Sequence, residues 1–145
     1  MIESQRRRDR GMTLAIIFGL LVQMALGMVA NLYVTIPAHH PGAHAGSYFS
    51  GAASGVGWAT GHAPWSLAIH AAFGLVLVVA VVARLALAAR RRGRRDIVLA
   101  IAGAVFTIGA GFNGASFLNY GHALSSLLMA LLFALALAAY AIALD

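Results

Sequence analysis

The chain has 145 residues, of which 61% are hydrophobic and 10% charged, and its basic residues, all arginine, give a net charge of +6. This composition is too apolar for a soluble domain, in which apolar residues make up about half of the chain, and the lack of cysteine excludes disulfides, thiolate metal sites and cysteine nucleophiles. The arginines adjoin apolar stretches, so the charge indicates orientation in a lipid bilayer and not nucleic-acid binding.

Four apolar stretches are long enough to cross a bilayer as helices, which takes about 20 residues each. They cover residues 12–36, 64–89, 97–114 and 118–144, and the third is the shortest. The predicted fold class is therefore all-α: an integral membrane four-helix bundle that forms one domain over residues 1–145. A tight connection is expected between the last two spans, near residues 113–119.

The arginines predict how the spans are oriented. They lie before the first span, at positions 6–10, and around the second connection, at positions 84–95. Because basic residues stay in the cytoplasm, we expect both termini there, with Arg84 snorkelling to the interface. The long loop 37–63 is then extracytoplasmic, and its aromatic residues favour a short interfacial helix or cap. High alanine and arginine content without lysine points to a bacterial plasma membrane.

Small and polar residues recur every four positions within the spans and therefore share a helix face. The sets are Gly19, Gln23, Gly27, Asn31 and Thr35 in the first span, Ser66, His70 and Gly74 in the second, and His122, Ser126 and Ala130 in the fourth. Since lipid offers no hydrogen bonds, we expect these faces to turn inward. For Gln23 and the serines, helix packing is the favoured interpretation.

Two hairpins of the chain resemble each other. The pattern Gly-x-x-x-Asn occurs at 27–31 and again at 109–113, and each hairpin continues into a helix with His-Ala near its start, at 70–71 and 122–123. Two hairpins in the same orientation predict a parallel internal repeat, with a pseudo-twofold axis along the membrane normal.

All six histidines fall in the outer half of the predicted bundle, whereas none of the four carboxylates does. A carboxylate proton relay and a calcium or magnesium site are therefore disfavoured. His70 and His122 lie about 9 and 5 Å inside the starts of their helices, at about 1.5 Å per residue. At similar depths, they are predicted to ligate opposite faces of one haem b.

Four neighbours complete the predicted cofactor site. Gly27 and Gly109 would leave room for the macrocycle, and Ser66 and Asn113 would tune its potential through hydrogen bonds. The alternative is that each histidine only hydrogen-bonds a neighbouring helix. No catalytic residue is predicted, and whether the chain is an enzyme stays open.

The outer loop offers a second candidate centre. Imidazole ligands suit copper and zinc, and the loop carries four histidines without strict ligand spacing: His39, His40, His44 and His62. The alternative is that these side chains are only solvated.

The arrangement resembles one half of the haem A synthase family of membrane proteins. The similar segments are SLAIHAAFGLVLVVAV at 66–81, GAGFNGASFLNYGHALSSLLMALLFAL at 109–135 and LGMVANLYVTIPAHHPG at 26–42. The resemblance implies a four-helix bundle with haem-ligating histidines on its second and fourth helices. The family's outer cysteine pair and glutamate are missing, and Ala71 stands where an arginine often follows the ligand. Haem A synthesis is therefore not expected.

The resemblance implies a simplified, cytochrome b-like relative that transfers electrons between a quinol-type carrier and an outer redox partner. A homodimer that imitates the two halves is its expected assembly. The rival from another class is a non-catalytic membrane protein, either a channel or transporter subunit or an accessory subunit of a membrane complex. The stripe of Gly103, Thr107 and Gly111 suits helix packing of that kind.

Overall fold

The computed structural model describes residues 2–91 and 93–144, and these form five α-helices. They are α1 (Ile2–Tyr33), α2 (Tyr48–His62), α3 (Trp65–Arg91), α4 (Arg94–Tyr120) and α5 (Ala123–Ile142). The described residues contain no strand. The all-α prediction is confirmed.

Four of the helices are long and apolar enough to cross a membrane, judged by length and composition: Arg6–Tyr33, Trp65–Arg90, Arg94–Tyr120 and Ala123–Ile142. Only 22–28% of the most apolar window of each is buried within the chain. So much exposed leucine, valine and phenylalanine would be unfavourable in water. This surface therefore indicates a multi-pass membrane protein.

The four long helices form a ring. α1 packs against α3 and α5, and α4 packs against the same two helices. Within the described part of the chain, the backbones of α3 and α5 do not approach each other, so the two helices lie on a diagonal. α2 lies on α3 and α4. We refer to the end with α2 and residues 34–47 as the loop end and to the opposite end as the arginine end.

The apolar core takes residues from each long helix. It is centred on Ile16, Leu20, Leu77, Val81, Ala104, Ala136 and Tyr140. Glycines allow the helices to approach closely around it: a Cβ at Gly19 would lie 2.7 Å from Leu77, and one at Gly103 would lie 2.5 Å from the Tyr140 ring. The stripe that begins at Gly103 is therefore used inside the bundle, up to Thr107, which is also buried.

The connection between the last two long helices differs from its prediction. α4 runs unbroken through 113–119, and the turn consists of Gly121 and His122. The Asn113 amide does not break the helix, because it donates to the Gly109 carbonyl one turn back. Gly121 ends the helix in the left-handed conformation, with φ 67°, and its N–H donates to the Phe117 carbonyl.

Candidate functional site

Gln23 of α1 and His70 of α3 form a polar contact between helices in the loop-end half of the bundle. The amide Nε2 of Gln23 donates to the His70 carbonyl at 3.1 Å and lies 3.4 Å from His70 Nε2. The two helices approach here because glycines face these side chains. A Cβ at Gly27 would lie 2.9 Å from His70 Cε1, and one at Gly74 would lie 3.0 Å from Gln23 Nε2.

This contact leaves two polar atoms unpaired. Gln23 Oε1 and His70 Nδ1 are both buried, and neither has a hydrogen-bond partner among the described residues. An orphaned imidazole nitrogen is able to accept or donate a hydrogen bond or to ligate a metal. The predicted inward face is confirmed for Gly19, Gln23 and Gly27, whereas Asn31 and Thr35 are exposed.

His122 lies elsewhere. It occupies the N-cap position of α5 without a side-chain capping bond. Its exposed ring stacks on Tyr120, with centroids 6.1 Å apart and planes at 17°. The Tyr120 hydroxyl in turn donates to the Ala45 carbonyl of the loop. His122 thus belongs to the loop-end surface, while His70 is turned towards α1.

The other predicted haem neighbours do not gather around one space either. A Cβ at Gly109 would meet Leu132 of α5 at 3.2 Å. Asn113 bonds within its own helix, and Ser66 is buried. Nδ1 of His70 is therefore the nitrogen of the pair that could serve as a buried axial ligand, whereas the His122 ring is exposed at the loop-end surface. The bis-histidine haem stays a prediction, and no step is derived through it.

The four loop histidines have separate surroundings. His39 and His62 are exposed, and His44 adopts a left-handed φ of 54° while its N–H donates to the Asn119 carbonyl. His40 is held by two carbonyl oxygens and by Trp58. No group of three or more histidine, aspartate or glutamate side chains able to hold a metal occurs in residues 2–91 and 93–144. A copper or zinc site stays a prediction.

α2 closes the loop end as a cap. Its small residues recur on one face, at Gly51, Gly55 and Ala59, and are buried there. Gly55 lies directly against the Asn119 side chain, whose Oδ1 is buried and unpaired within the described chain. The Tyr48 hydroxyl donates to the Phe112 carbonyl at 2.6 Å. Burial, and then the neighbouring Tyr120, raise the pKa of Tyr48, so the phenol keeps the proton it donates.

Sequence reasoning missed a polar cluster at the arginine end. Arg84 is 3% exposed, so it does not snorkel to the interface as predicted. Its guanidinium forms an ion pair with Asp96 of α4, and its Nε donates to the hydroxyl of buried Thr13 at 3.2 Å. Tyr140 of α5 is also buried, and its hydroxyl has no partner among the described residues. We call these four residues the arginine cluster.

A signal for the ion pair was present in the sequence. Asp96 is the only carboxylate next to the run of arginines at 90–95, and it lies twelve positions after Arg84, across the turn of a helical hairpin. In an antiparallel helical hairpin, the last residues of the first helix face the first residues of the second helix. A basic residue near the end of the first helix and an acid at the start of the second can therefore form an ion pair.

Comparison of the chain with known protein families, curated proteins and solved structures gives no match. The resemblance to haem A synthases therefore rests on the quoted sequence segments alone.

Proposed function

We propose that the protein is a non-catalytic subunit of the plasma membrane, of the accessory or transport class, in which His70 is a helix-packing residue. Both termini lie in the cytoplasm and the α2 cap lies outside. The orientation is supported by the arginines, which cluster at one end of the bundle and adjoin the spans on that side.

The observation that carries this proposal is the contact between Gln23 and His70. Ionisable and polar groups inside a membrane are by default candidates for a functional site, but here they join two helices. The Gln23 amide donates to the backbone carbonyl of His70 and lies near its ring, and the ring packs against Gly27. At the arginine end, Arg84 joins α3 to Thr13 of α1 and to Asp96 of α4 in the same way.

Haem binding is the second candidate function, and one observation favours it. Nδ1 of His70 is buried without a partner in the described chain, and α3 lies diagonally across from α5, the helix that His122 caps. A haem b would supply one-electron chemistry when bound. The expected partners are then a quinol-type carrier and an outer acceptor, with a homodimer as the assembled form.

An absorption spectrum separates the two candidates. The protein is produced with ample haem, purified and scanned in oxidised and reduced states. The packing proposal expects a colourless protein whose His70→Ala variant is less stable. Haem binding expects a Soret band with sharp reduced α and β bands that His70→Ala removes.

His62→Ala serves as the control in the same experiment, because its side chain is exposed at the end of α2. It is expected to leave both the spectrum and the stability unchanged. A stoichiometric Soret band in the wild type, lost on His70→Ala and kept on His62→Ala, would overturn the packing proposal.

A further inference from the structure

A shallow cleft opens at the arginine end, where α4 begins beside the end of α5. Its volume is about 320 Å³, which is within the range of small-ligand sites. The residues that line it are Gly93, Arg94, Arg95, Asp96, Leu99 and Ala143. Two arginines and two apolar side chains therefore share one concave surface, which lies apart from the contact of Gln23 with His70.

The cleft has positive charge and hydrogen-bond donors to offer a ligand. Its carboxylate, Asp96, is already paired with Arg84. Arg95 is exposed and donates from one nitrogen to the Ile142 carbonyl oxygen of α5 at 3.1 Å, which leaves further N–H groups of its guanidinium. Arg94 is exposed and makes no hydrogen bond or ion pair with the described residues. The ligand that fits these groups is an anion.

An exposed apolar stripe leads away from Arg94 along α4. Residues three and four apart share a helix face, and Val98, Ile101 and Val105 follow Arg94 at that spacing. They are 55%, 44% and 58% exposed, so they face lipid when α4 spans a membrane. At 1.5 Å per residue the stripe extends about 16 Å from Arg94, which is about half the thickness of the hydrocarbon core of a bilayer.

We propose that this surface binds one anionic phospholipid from the leaflet at the arginine end. Arg94 and Arg95 hold its phosphate in the cleft, and one acyl chain lies along the apolar stripe of α4. A guanidinium matches the geometry of two phosphate oxygens, and basic pockets between helices at the membrane surface are suited to anionic headgroups. The site consists of the start of α4 and the end of α5, so it depends neither on the role of His70 nor on the orientation of the chain.

Native mass spectrometry of the delipidated protein, titrated with phosphatidylglycerol in detergent, measures this binding. One lipid is expected to bind more tightly than any further copy. Arg94→Gln is expected to weaken the first binding step about fivefold, and the double variant with Arg95→Gln about 25-fold, from the contribution of each arginine near a membrane surface. The single variant removes no bond within the described chain, so its effect does not come from unfolding. An unchanged affinity in the double variant would overturn the proposal.

Arg7→Gln combined with Arg8→Gln is the matched control. It removes the same amount of charge from exposed positions of α1, a helix whose described backbone does not approach α4. This variant is expected to bind phosphatidylglycerol as the wild type does. An equal loss in the two double variants would show an attraction to net charge alone and would overturn a site in the cleft.

Two further titrations separate a lipid from a free phosphate ion. Phosphatidylcholine carries the same phosphate without net charge and is expected to bind more weakly than phosphatidylglycerol. Inorganic phosphate has no acyl chain and is expected not to displace an equal concentration of phosphatidylglycerol. Equal binding of the two lipids, or displacement by inorganic phosphate, would each overturn the proposal.

Photocrosslinking locates the acyl chain. Phosphatidylglycerol with a diazirine in one acyl chain is bound in detergent at an equimolar ratio and irradiated. Crosslinks are expected in the α4 segment 98–105 and are expected to decrease in Arg94→Gln. The comparison segment is 76–82 of α3, in which Val76, Val79 and Val82 are similarly exposed. Crosslinks shared equally between the two segments would contradict the proposal.

Discussion

Gln23 engages His70 through a single amide nitrogen, which touches both the backbone oxygen and the ring. In a membrane such a bond replaces no bond to water, yet the unfolded chain in lipid also finds partners for its polar groups. Measured interhelical hydrogen bonds are therefore modest, about 0.6 kcal/mol on average and about 1.7 at most. At this site the energy is shared with the packing of the ring on Gly27.

A double-mutant cycle of Gln23→Ala and His70→Ala is expected to show this coupling. Each single variant lowers the free energy of unfolding, and the interaction term lies between about 0.6 and 1.7 kcal/mol. The measurement is reversible unfolding in mixed micelles. His122→Ala combined with Gln23→Ala is the control and should be additive, because His122 lies exposed at the surface. A coupling near zero for the first pair would contradict the packing role of His70.

Two glycines of α4, Gly103 and Gly111, differ in what an added methyl group would contact. A Cβ at Gly103 would lie 2.5 Å from Cζ of the Tyr140 ring, whereas Gly111 has nothing within 4 Å. Gly103→Ala is expected to cost about 1–3 kcal/mol, because the buried ring has to move. Gly111→Ala is expected to stabilise the helix by about 0.5–1 kcal/mol. Thermal unfolding of both variants checks the difference, and equal effects would show that α4 and α5 are not so closely packed.

At the scale of the element, the hairpin of α3 and α4 is fixed by the arginine cluster. Arg84 of α3 donates to Asp96 of α4 across the turn and to Thr13 of α1, so one side chain links three helices. Removing Asp96 would leave the Arg84 guanidinium buried without its ion-pair partner, which typically costs about 3–5 kcal/mol. The pair thus specifies which helices neighbour each other, beyond any net stabilisation it provides.

Asp96→Leu is expected to destabilise the protein by about 3–5 kcal/mol, because it leaves the buried Arg84 unpaired, and the double variant of Arg84→Met and Asp96→Leu by less, because it buries no unpaired charge. Arg84→Met alone is expected to cost less than Asp96→Leu, because the Asp96 side chain is 33% exposed. Arg90→Met is the control: Arg90 is exposed on the same helix, and its replacement should stay within about 0.5 kcal/mol. Unfolding in a denaturing detergent measures all four. A double variant as damaged as the sum of the singles would exclude this account.

The sequence predicts those elements that depend on a repeating pattern. The face of Gly19, Gln23 and Gly27 was predictable because residues four apart share a helix face, whatever the partner helix is. The end of α4 was not predictable, because the Asn113 amide finds its partner within the helix and the helix continues to its C-cap at Gly121. The burial of Arg84 also escaped prediction, because snorkelling or pairing depends on how close α3 and α4 come at their turn.

For the whole molecule, the distribution of charge is the dominant feature. Permanent charge is confined to residues 3–10, 84–96 and 145, whereas the opposite half carries only histidines and tyrosines as titratable groups. The arginines keep their charge at any physiological pH, and their position at one end of the bundle sets the orientation of the chain in the membrane.

Single cysteines test the orientation, since the chain has none of its own. Gly46→Cys lies exposed in the loop before α2, and Gly93→Cys lies exposed in the connection of α3 and α4, at opposite ends of the bundle. In intact bacteria, a membrane-impermeant maleimide is expected to label Gly46→Cys and not Gly93→Cys, because the arginines keep the second connection in the cytoplasm. Permeabilised cells provide the control, in which both sites should react. Labelling of Gly93→Cys alone would show the opposite orientation, and labelling of both sites in intact cells would refute four spans.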